Sequence, residues 1–471
     1  MEDRVDRPAT AVSGASRRVP TPREESVALA RITAPLAAAF IAEMAMNVTD
    51  TLMVGHLGAV QLGAVGLTAN LVFLGLSVAM HVLSVVGVLV AQNHAAGDDA
   101  AAANAVRMGF WVATLVSIPA MLFCWYLAPV LRLVRQQPEV IVHAEAYAQT
   151  VMWCIPSYLY FTVLRNFVTS LSRANSIMVI TVASVPLNFV VNYVLIFGVF
   201  GLPGLGVAGT GIGTSFVCAM MFLAVSFHVW RDPMLRAFRV FSTLLRPDWP
   251  SFNEILRVGW SAGAISAVEG GLFATISVLL GVIGATALAA GQIAFSCMTV
   301  PFMVVYALST AASVRVAHGV GIGSMAAARQ AGRLSIGYGF AYMLCVALVL
   351  WLFPEFLAGL FLDNEAPDSA EVLALAGAFL AIAAVFQVFD GTQFILLGAL
   401  RGLKDTAVPF AIGLIGYWAV GLGSGYLFAF VLGHGGVGLW WGLALGLATS
   451  ATLMLLRFHL RSSAMLRAEA V

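Results

Sequence analysis

Charged residues are scarce in this chain. Only 10% of its 471 residues are Asp, Glu, Lys or Arg, and 24 basic residues nearly balance 23 acidic ones, for a formal net charge of +1. Because a soluble domain carries about 25% charged residues, the composition excludes an ordinary water-soluble domain. The near-zero net charge also argues against nucleic acid as a partner.

Several enzyme signatures are missing as well. The sequence contains no phosphate-binding GxxxxGK[ST] loop and no HExxH zinc motif, so nothing indicates nucleotide hydrolysis or a zinc hydrolase. Its five cysteines show no paired spacing, which is typical of small packing residues rather than of disulfides or metal ligands.

Long apolar segments are what the chain has in abundance, since 61% of its residues are hydrophobic. About 20 apolar residues suffice for a helix to cross a bilayer, and only helices satisfy their backbone within one segment in lipid. We therefore predict an all-α membrane protein with twelve transmembrane helices. The predicted spans are 28–54, 62–92, 107–131, 143–164, 177–200, 208–230, 254–282, 286–316, 334–356, 370–398, 406–432 and 436–459.

These spans divide the chain into two six-helix lobes. We predict a disordered tail at 1–27, an N-terminal lobe at 28–230, a basic linker at 231–253, a C-terminal lobe at 254–460 and a short tail at 461–471. Lys and Arg accumulate in cytoplasmic loops. With a cytoplasmic N-terminus, only Arg132 and Arg135 of the 24 basic residues lie outside, so we expect both termini in the cytoplasm.

The two halves resemble each other. GHLGAVQLGAV from Gly55 aligns without gaps with GVIGATALAAG from Gly281, at an offset of 226, and LSRANS from Leu171 takes the place of LRGLKD from Leu400. Chance similarity between Ala- and Gly-rich helices is the alternative. The shared order of features favours a duplication, and six spans in each half imply parallel repeats.

Acidic residues within the apolar spans are the main candidates for function, because an acid in a membrane is costly and usually marks an ion or substrate pathway. Glu43 and Asp50 share one stripe of the first helix, and Asn188 and Asn192 share one stripe of the fifth. Carboxylate and amide oxygens suit a proton or a cation such as Na⁺. The asparagines alone are also explained by interhelical hydrogen bonds.

The C-terminal half has its own pair of acids, Glu269 and Asp390. Gln387 lies three residues before Asp390 and Phe386 one turn before it. An acid beside aromatic rings suits an organic cation, whereas an acid near the lipid headgroups is the alternative for Asp390. Burial favours the uncharged form of a carboxyl, so these acids suit proton exchange near neutral pH.

Four segments together resemble the multidrug and toxic compound extrusion (MATE) family. They are VTDTLMVGHLGAVQLGAVGL from Val48, VPLNFVVNYVLIFG from Val185, GLGVAGTGIGTS from Gly204 and LRGLKDTAVPF from Leu400. The resemblance covers about residues 28 to 460. It implies two lobes around a V-shaped cavity, and export of organic cations, drugs or toxins in exchange for H⁺ or Na⁺.

Carried over by motif, Asp50, Asn188, Asn192 and Thr214 would form the N-lobe cation site, with Glu269 and Asp390 as the C-lobe acids. The family commonly has a tyrosine where this chain has Phe386, which puts a C-lobe sodium site in doubt. Glu43 is not a residue that the family predicts.

We therefore expect a secondary active multidrug antiporter of the inner membrane, acting as a monomer, with H⁺ or Na⁺ as coupling ion and no other cofactor. One alternative is a flippase for lipid-linked precursors, which should favour a basic cavity. A membrane-embedded hydrolase is another, and it would require a nucleophile or paired His or Asp motifs.

Overall fold

The computed structural model describes residues 19–133, 135–199, 203–242, 244, 246–361 and 369–469, and these residues are almost entirely helical. The first eight helices are α1 (Pro22–Gly55), α2 (Ala59–Ala95), α3 (Asp99–Trp125), α4 (Leu127–Leu133), α5 (Pro138–Val151), α6 (Cys154–Ser170), α7 (Ala174–Phe197) and α8 (Gly206–Arg231). The next six are α9 (Pro233–Ala237), α10 (Trp249–Ile283), α11 (Ala285–Gly321), α12 (Met325–Leu352), α13 (Pro354–Gly359) and α14 (Ser369–Gly402).

The last two crossings differ in their winding. The eleventh consists of α15 (Ala407–Leu414), a π-helical segment (Ile415–Leu422), α16 (Gly423–Tyr426) and a second π-helical segment (Leu427–Val431). The twelfth is one long helix, α17 (Gly435–Glu469).

Within the described residues, eleven helices are long and apolar enough to cross a membrane. The fourth predicted span is the exception, because it is divided into α5 and α6 by a turn at Met152 and Trp153. Helices α5 and α6 together occupy this span, so the described helices account for twelve crossings, the fourth with a break, and the predicted fold class is confirmed.

The N-terminal boundary of the first lobe was predicted too late. Helix α1 begins at Pro22, where Thr21 and Glu24 form a reciprocal capping box. Glu25 is only 1% exposed, and Arg315 of α11 donates to it through two nitrogens at 2.6 and 2.7 Å. Residues 22–27 are thus part of the bundle rather than of a tail, while residues 1–18 lie outside the described part of the chain.

The other two predicted non-membrane segments are also partly helical. The linker contains α9, and its Phe238 is buried against Phe167 of the N-terminal lobe, so this part of the linker packs on the protein. Helix α17 continues to Glu469, whose carboxylate accepts the backbone N–H of Met325 at 2.9 Å. This contact attaches the end of α17 to the first residue of α12, so residues 461–469 belong to the helical bundle rather than to a tail.

The internal repeat is visible in the backbone. Gly97 and Gly323, separated by the predicted offset of 226, both have positive φ after α2 and α11, at +84° and +69°. Ser172 and Lys404 both have positive φ after α6 and α14, at 59° and 57°, and they lie 232 positions apart. The predicted alignment of Leu171 with Leu400 is therefore wrong by three residues. The shared turn aligns Leu171 with Leu403 instead.

The lobes meet along α1, α2, α10 and α11, on either side of the V-shaped central cavity of the fold. Helix α10 approaches α2 closely because Gly259 and Gly263 have no side chain: a Cβ at either position would lie 2.8–2.9 Å from Val82. Gln92 of α2 donates to the carbonyl of Gly402 at 3.0 Å. These contacts lie in the half of the bundle that carries the chain termini.

Glycines also set the contact between the last two crossings. Gly442 of α17 lies so close to Gly425 of α16 that an added Cβ would lie 2.2 Å from the Gly425 Cα. Small residues four apart allow helix backbones in membranes to come into contact. Both partners are backbone atoms, so neither can rotate away from a larger residue.

We expect Gly442→Ala to destabilise the protein by about 1–3 kcal/mol, because overpacking forces the helices apart. The measurement is the thermal midpoint of purified protein in detergent. Gly337→Ala is the matched control, since Gly337 is exposed and a Cβ there would meet nothing within 4 Å. Equal midpoints for the two variants would contradict the close contact.

Candidate functional site

The first candidate site surrounds Asp50 of α1. Asn192 of α7 donates to Asp50 Oδ1 at 2.6 Å, and Thr214 of α8 donates to Asp50 Oδ2 at 3.2 Å. Asn188 lies one turn before Asn192 on the same stripe of α7 and is close enough to the carboxylate to interact with it. The structure thus brings Asp50, Asn188, Asn192 and Thr214 together, with neutral donors and no cationic side chain among these contacts.

The amide oxygens of this site lack donors. Asn188 is 2% and Asn192 0% exposed, and among the described residues the Oδ1 atoms of both have no hydrogen-bond partner. Asn192 Oδ1 lies 1.8 Å from the position that a Cβ of Gly213 would occupy, so only glycine admits it there. Buried oxygens without donors, beside a carboxylate, could hold a cation if the amides turned toward it.

Glu43 belongs to a separate cluster. Arg165 of α6 donates to Glu43 Oε1 at 2.9 Å and Tyr158 donates to Oε2 at 2.9 Å. The Arg165 guanidinium also lies over the Phe40 ring, 5.1 Å from its centre. Seven residues separate Glu43 from Asp50, or about 10 Å along the helix. The predicted grouping of Glu43 with Asp50 is therefore corrected to two clusters.

The repeat gives Glu43 a counterpart in the other lobe. At the offset of 226 that relates α1 to α10, Glu43 is equivalent to Glu269. At the offset of 232 that relates α6 to α14, Tyr158 is equivalent to Asp390 and Arg165 to Leu397. The same position therefore carries a glutamate in both lobes, but the arginine occurs only in the first.

The second candidate site contains this unneutralised glutamate. Glu269 is half-buried and lies close enough to Asp390 for the two carboxyls to interact electrostatically. Asp390 is 6% exposed, and its Oδ1 has no hydrogen-bond donor within the described part of the chain. None of the ion pairs formed by the described residues includes either acid. The two acids thus lie near each other, one half-buried and one buried, and no described cationic side chain pairs with either.

Gln387 and Phe386, which the sequence pattern places beside Asp390 as possible ligand contacts, are largely occupied by contacts within the protein. The side-chain nitrogen of Gln387 donates to the Met298 carbonyl at 3.4 Å. Its side-chain oxygen has no donor in the described protein. Phe386 is 2% exposed and packs edge-on against Phe273 and Trp440. Phe386 is thus part of the C-lobe core.

Tyr417 is a site residue that the sequence pattern does not reveal. It lies in the first π-helical segment, is 0% exposed, and is close enough to Glu269 and Asp390 to interact with their charges. The side-chain amide of Gln393 is hydrogen-bonded to its hydroxyl. Tyr417 therefore supplies a phenol beside the acids from a neighbouring helix, although Phe386 has none.

A GxSxG sequence, GWSAG from Gly259 to Gly263, matches the spacing of a hydrolase nucleophile elbow. In the structure it is the interior of α10 rather than a turn between a strand and a helix. Ser261 is 0% exposed and hydrogen-bonded to Thr406 at 2.7 Å. Its glycines serve the contact with α2, so the segment is structural.

Two six-helix lobes around a central cavity, with acids inside the membrane-spanning helices of each lobe, define a membrane transporter. The family model of MatE matches the chain twice, at residues 35–194 and 263–427, once in each lobe. The chain belongs to the MatE family. It is a multi-pass membrane transporter and not an enzyme.

Its relatives include bacterial proteins of similar length. The probable multidrug resistance protein NorM of Pseudomonas aeruginosa is 41% identical over 442 residues, 94% of this chain and 91% of that protein. The multidrug resistance protein NorM of Burkholderia vietnamiensis is 38% identical over 460 residues, 97% of this chain and 99% of that protein.

Solved structures show the same fold. A MATE transporter crystallised in a bent conformation superposes with a TM-score of 0.85 at 18% identity, covering 97% of this chain and 98% of the other. An outward-facing multidrug resistance MATE transporter of the MOP superfamily superposes with a TM-score of 0.83 at 19% identity, covering 96% and 99%.

We expect Arg165→Met to destabilise the protein by about 3–5 kcal/mol, because it leaves the Glu43 carboxylate buried without its partner. Adding Glu43→Gln should recover most of that loss, since Tyr158 retains a neutral acceptor. The measurement is the thermal midpoint of the two single variants and the double variant. A double variant whose loss equals the sum of the single losses would contradict the pairing.

Proposed function

We propose that this chain is a secondary active multidrug efflux antiporter that exports organic cations in exchange for H⁺ or Na⁺. It acts as a monomer in the inner membrane, with both termini in the cytoplasm. The names of its NorM relatives support multidrug resistance as the physiological context.

The observation that carries the proposal is the difference between equivalent positions in the two lobes. Glu43 is neutralised by Arg165, whereas Glu269 lies near a second acid, Asp390, and has Leu397 where the arginine would be. A buried charge without an internal partner is costly. The C-lobe acids therefore favour a cation from outside the chain, either a drug or a proton. This acidic lining also argues against a flippase with a basic cavity.

Asp50 is the proposed coupling site of the N-terminal lobe. Its carboxylate is held by hydroxyl and amide donors rather than by a fixed cation, so it can exchange a proton or, after rotation of the amides, hold Na⁺. Ion uptake from outside discharges the acids, releases the cationic drug and permits the lobes to close. One charge that moves through 100 mV supplies about 2.3 kcal/mol, roughly a fiftyfold concentration ratio.

We expect Asp50→Asn to abolish gradient-driven efflux of a fluorescent cation from proteoliposomes, because the site can no longer change its charge. Proton and sodium gradients are imposed separately, which also identifies the coupling ion. Glu371→Gln is the control, because Glu371 is an exposed acid in the first turn of α14. Full transport by Asp50→Asn, at equal expression, would remove Asp50 from the mechanism.

We expect the double variant Glu269→Gln/Asp390→Asn to bind a cationic dye at least about tenfold more weakly, which corresponds to about 1.4 kcal/mol. The affinity for an uncharged dye of similar shape should change much less, since only the charge attraction is removed. Fluorescence titration of purified protein gives both affinities. An equal loss for the two dyes would indicate damage to the pocket rather than loss of charge recognition.

A further inference from the structure

A small cavity between the two lobes has a polar wall that neither candidate site uses. Its volume is about 30 Å³, and its lining comes from α1, α2, α6, α11 and α14. A water molecule needs roughly 10–15 Å³ of such space. The cavity therefore has room for about two waters or one small ion, and excludes a drug or a lipid headgroup.

The cavity lies on the pseudo-twofold axis of the molecule. Its lining includes Ser84 with its equivalent Thr310, at the offset of 226, and Thr169 with its equivalent Arg401, at the offset of 232. Equivalent residues can line one cavity only where the two lobes meet. Whatever fills this space consequently contacts both lobes at once.

Arg401 is the unusual residue of this wall. It is 7% exposed, and its Nε has no hydrogen-bond acceptor in the described protein. No ion pair between described residues includes it. The other guanidinium that lines the cavity, Arg165, is already paired with Glu43. With Arg165 matched by Glu43, Arg401 is the guanidinium of this wall that no described carboxylate neutralises.

Hydroxyl groups complete the arrangement. The side-chain oxygens of Thr169 and Ser313 are buried and have no partner among the described residues, and both residues line the cavity. The phenol of Tyr306 lines it as well. Because the Thr169 and Ser313 hydroxyls have no partner of either kind, their O–H groups are free to donate. One unpaired guanidinium and several available O–H donors match a small anion better than water, because water brings no charge to a buried cation.

We propose that this cavity binds a small inorganic anion of the size of chloride, held by Arg401 together with Thr169, Ser313 and Tyr306. The anion joins the two lobes in the half of the bundle that carries the chain termini. It stabilises the state in which that half is closed, and it must leave when the lobes separate there.

The first test is the thermal stability of the purified full-length chain. Sodium chloride is titrated against sodium gluconate at constant ionic strength, so that only the anion changes. Binding to the folded state should raise the midpoint in a saturable manner. Arg401→Met should lose this chloride dependence, whereas Arg457→Gln should retain it. Arg457 is the matched control because its guanidinium pairs with Asp405 and does not line the cavity.

The second test locates the ion in the wild-type protein and does not depend on any variant folding. In crystals grown with bromide in place of chloride, we expect an anomalous peak within hydrogen-bonding distance of the Arg401 guanidinium. A cavity that contains only water at saturating bromide would overturn the proposal. The same chloride dependence in the wild type and in Arg401→Met would overturn it as well.

Discussion

The cost of an unpaired charge in a medium without water governs this molecule. Some charges in the interior are neutralised by an ion pair within the protein. Arg315 binds Glu25 at the junction of the lobes, and Arg165 binds Glu43 within one lobe. Asp50, Glu269 and Asp390 form no such ion pair with a described residue. The difference separates acids that pair with an arginine from acids that form no ion pair among the described residues.

Duplication explains why the two kinds of charge lie in comparable places. The glycine turns at Gly97 and Gly323 and the left-handed residues Ser172 and Lys404 show that both lobes follow one backbone plan. The lobes then differ in side chains rather than in architecture. As a result, the equivalent residues Glu43 and Glu269 differ in whether an arginine neutralises them.

The sequence predicted the features that depend on neighbouring residues, namely the membrane crossings and the residues that share one side of a helix. Apolar runs predicted the crossings, and the shared stripe of Asn188 and Asn192 predicted the side of α7 that faces Asp50, where Asn192 is hydrogen-bonded to the carboxylate. The partner of Glu43 was missed because Arg165 is 122 positions away, although a lone arginine in an apolar helix was a usable signal. Tyr417 carried no such signal, since its approach to the acids depends on helix packing and on π-helical winding.

The difference between Arg165 and the equivalent Leu397 can arise from a single base change. Leucine and arginine codons of the CTN and CGN series differ by a single base, so one substitution in either copy of a duplicated gene exchanges the two residues. One such substitution adds or removes the cationic partner of the equivalent glutamate, Glu43 or Glu269. A duplicated ancestor could divide labour between its halves without passing through any change of fold.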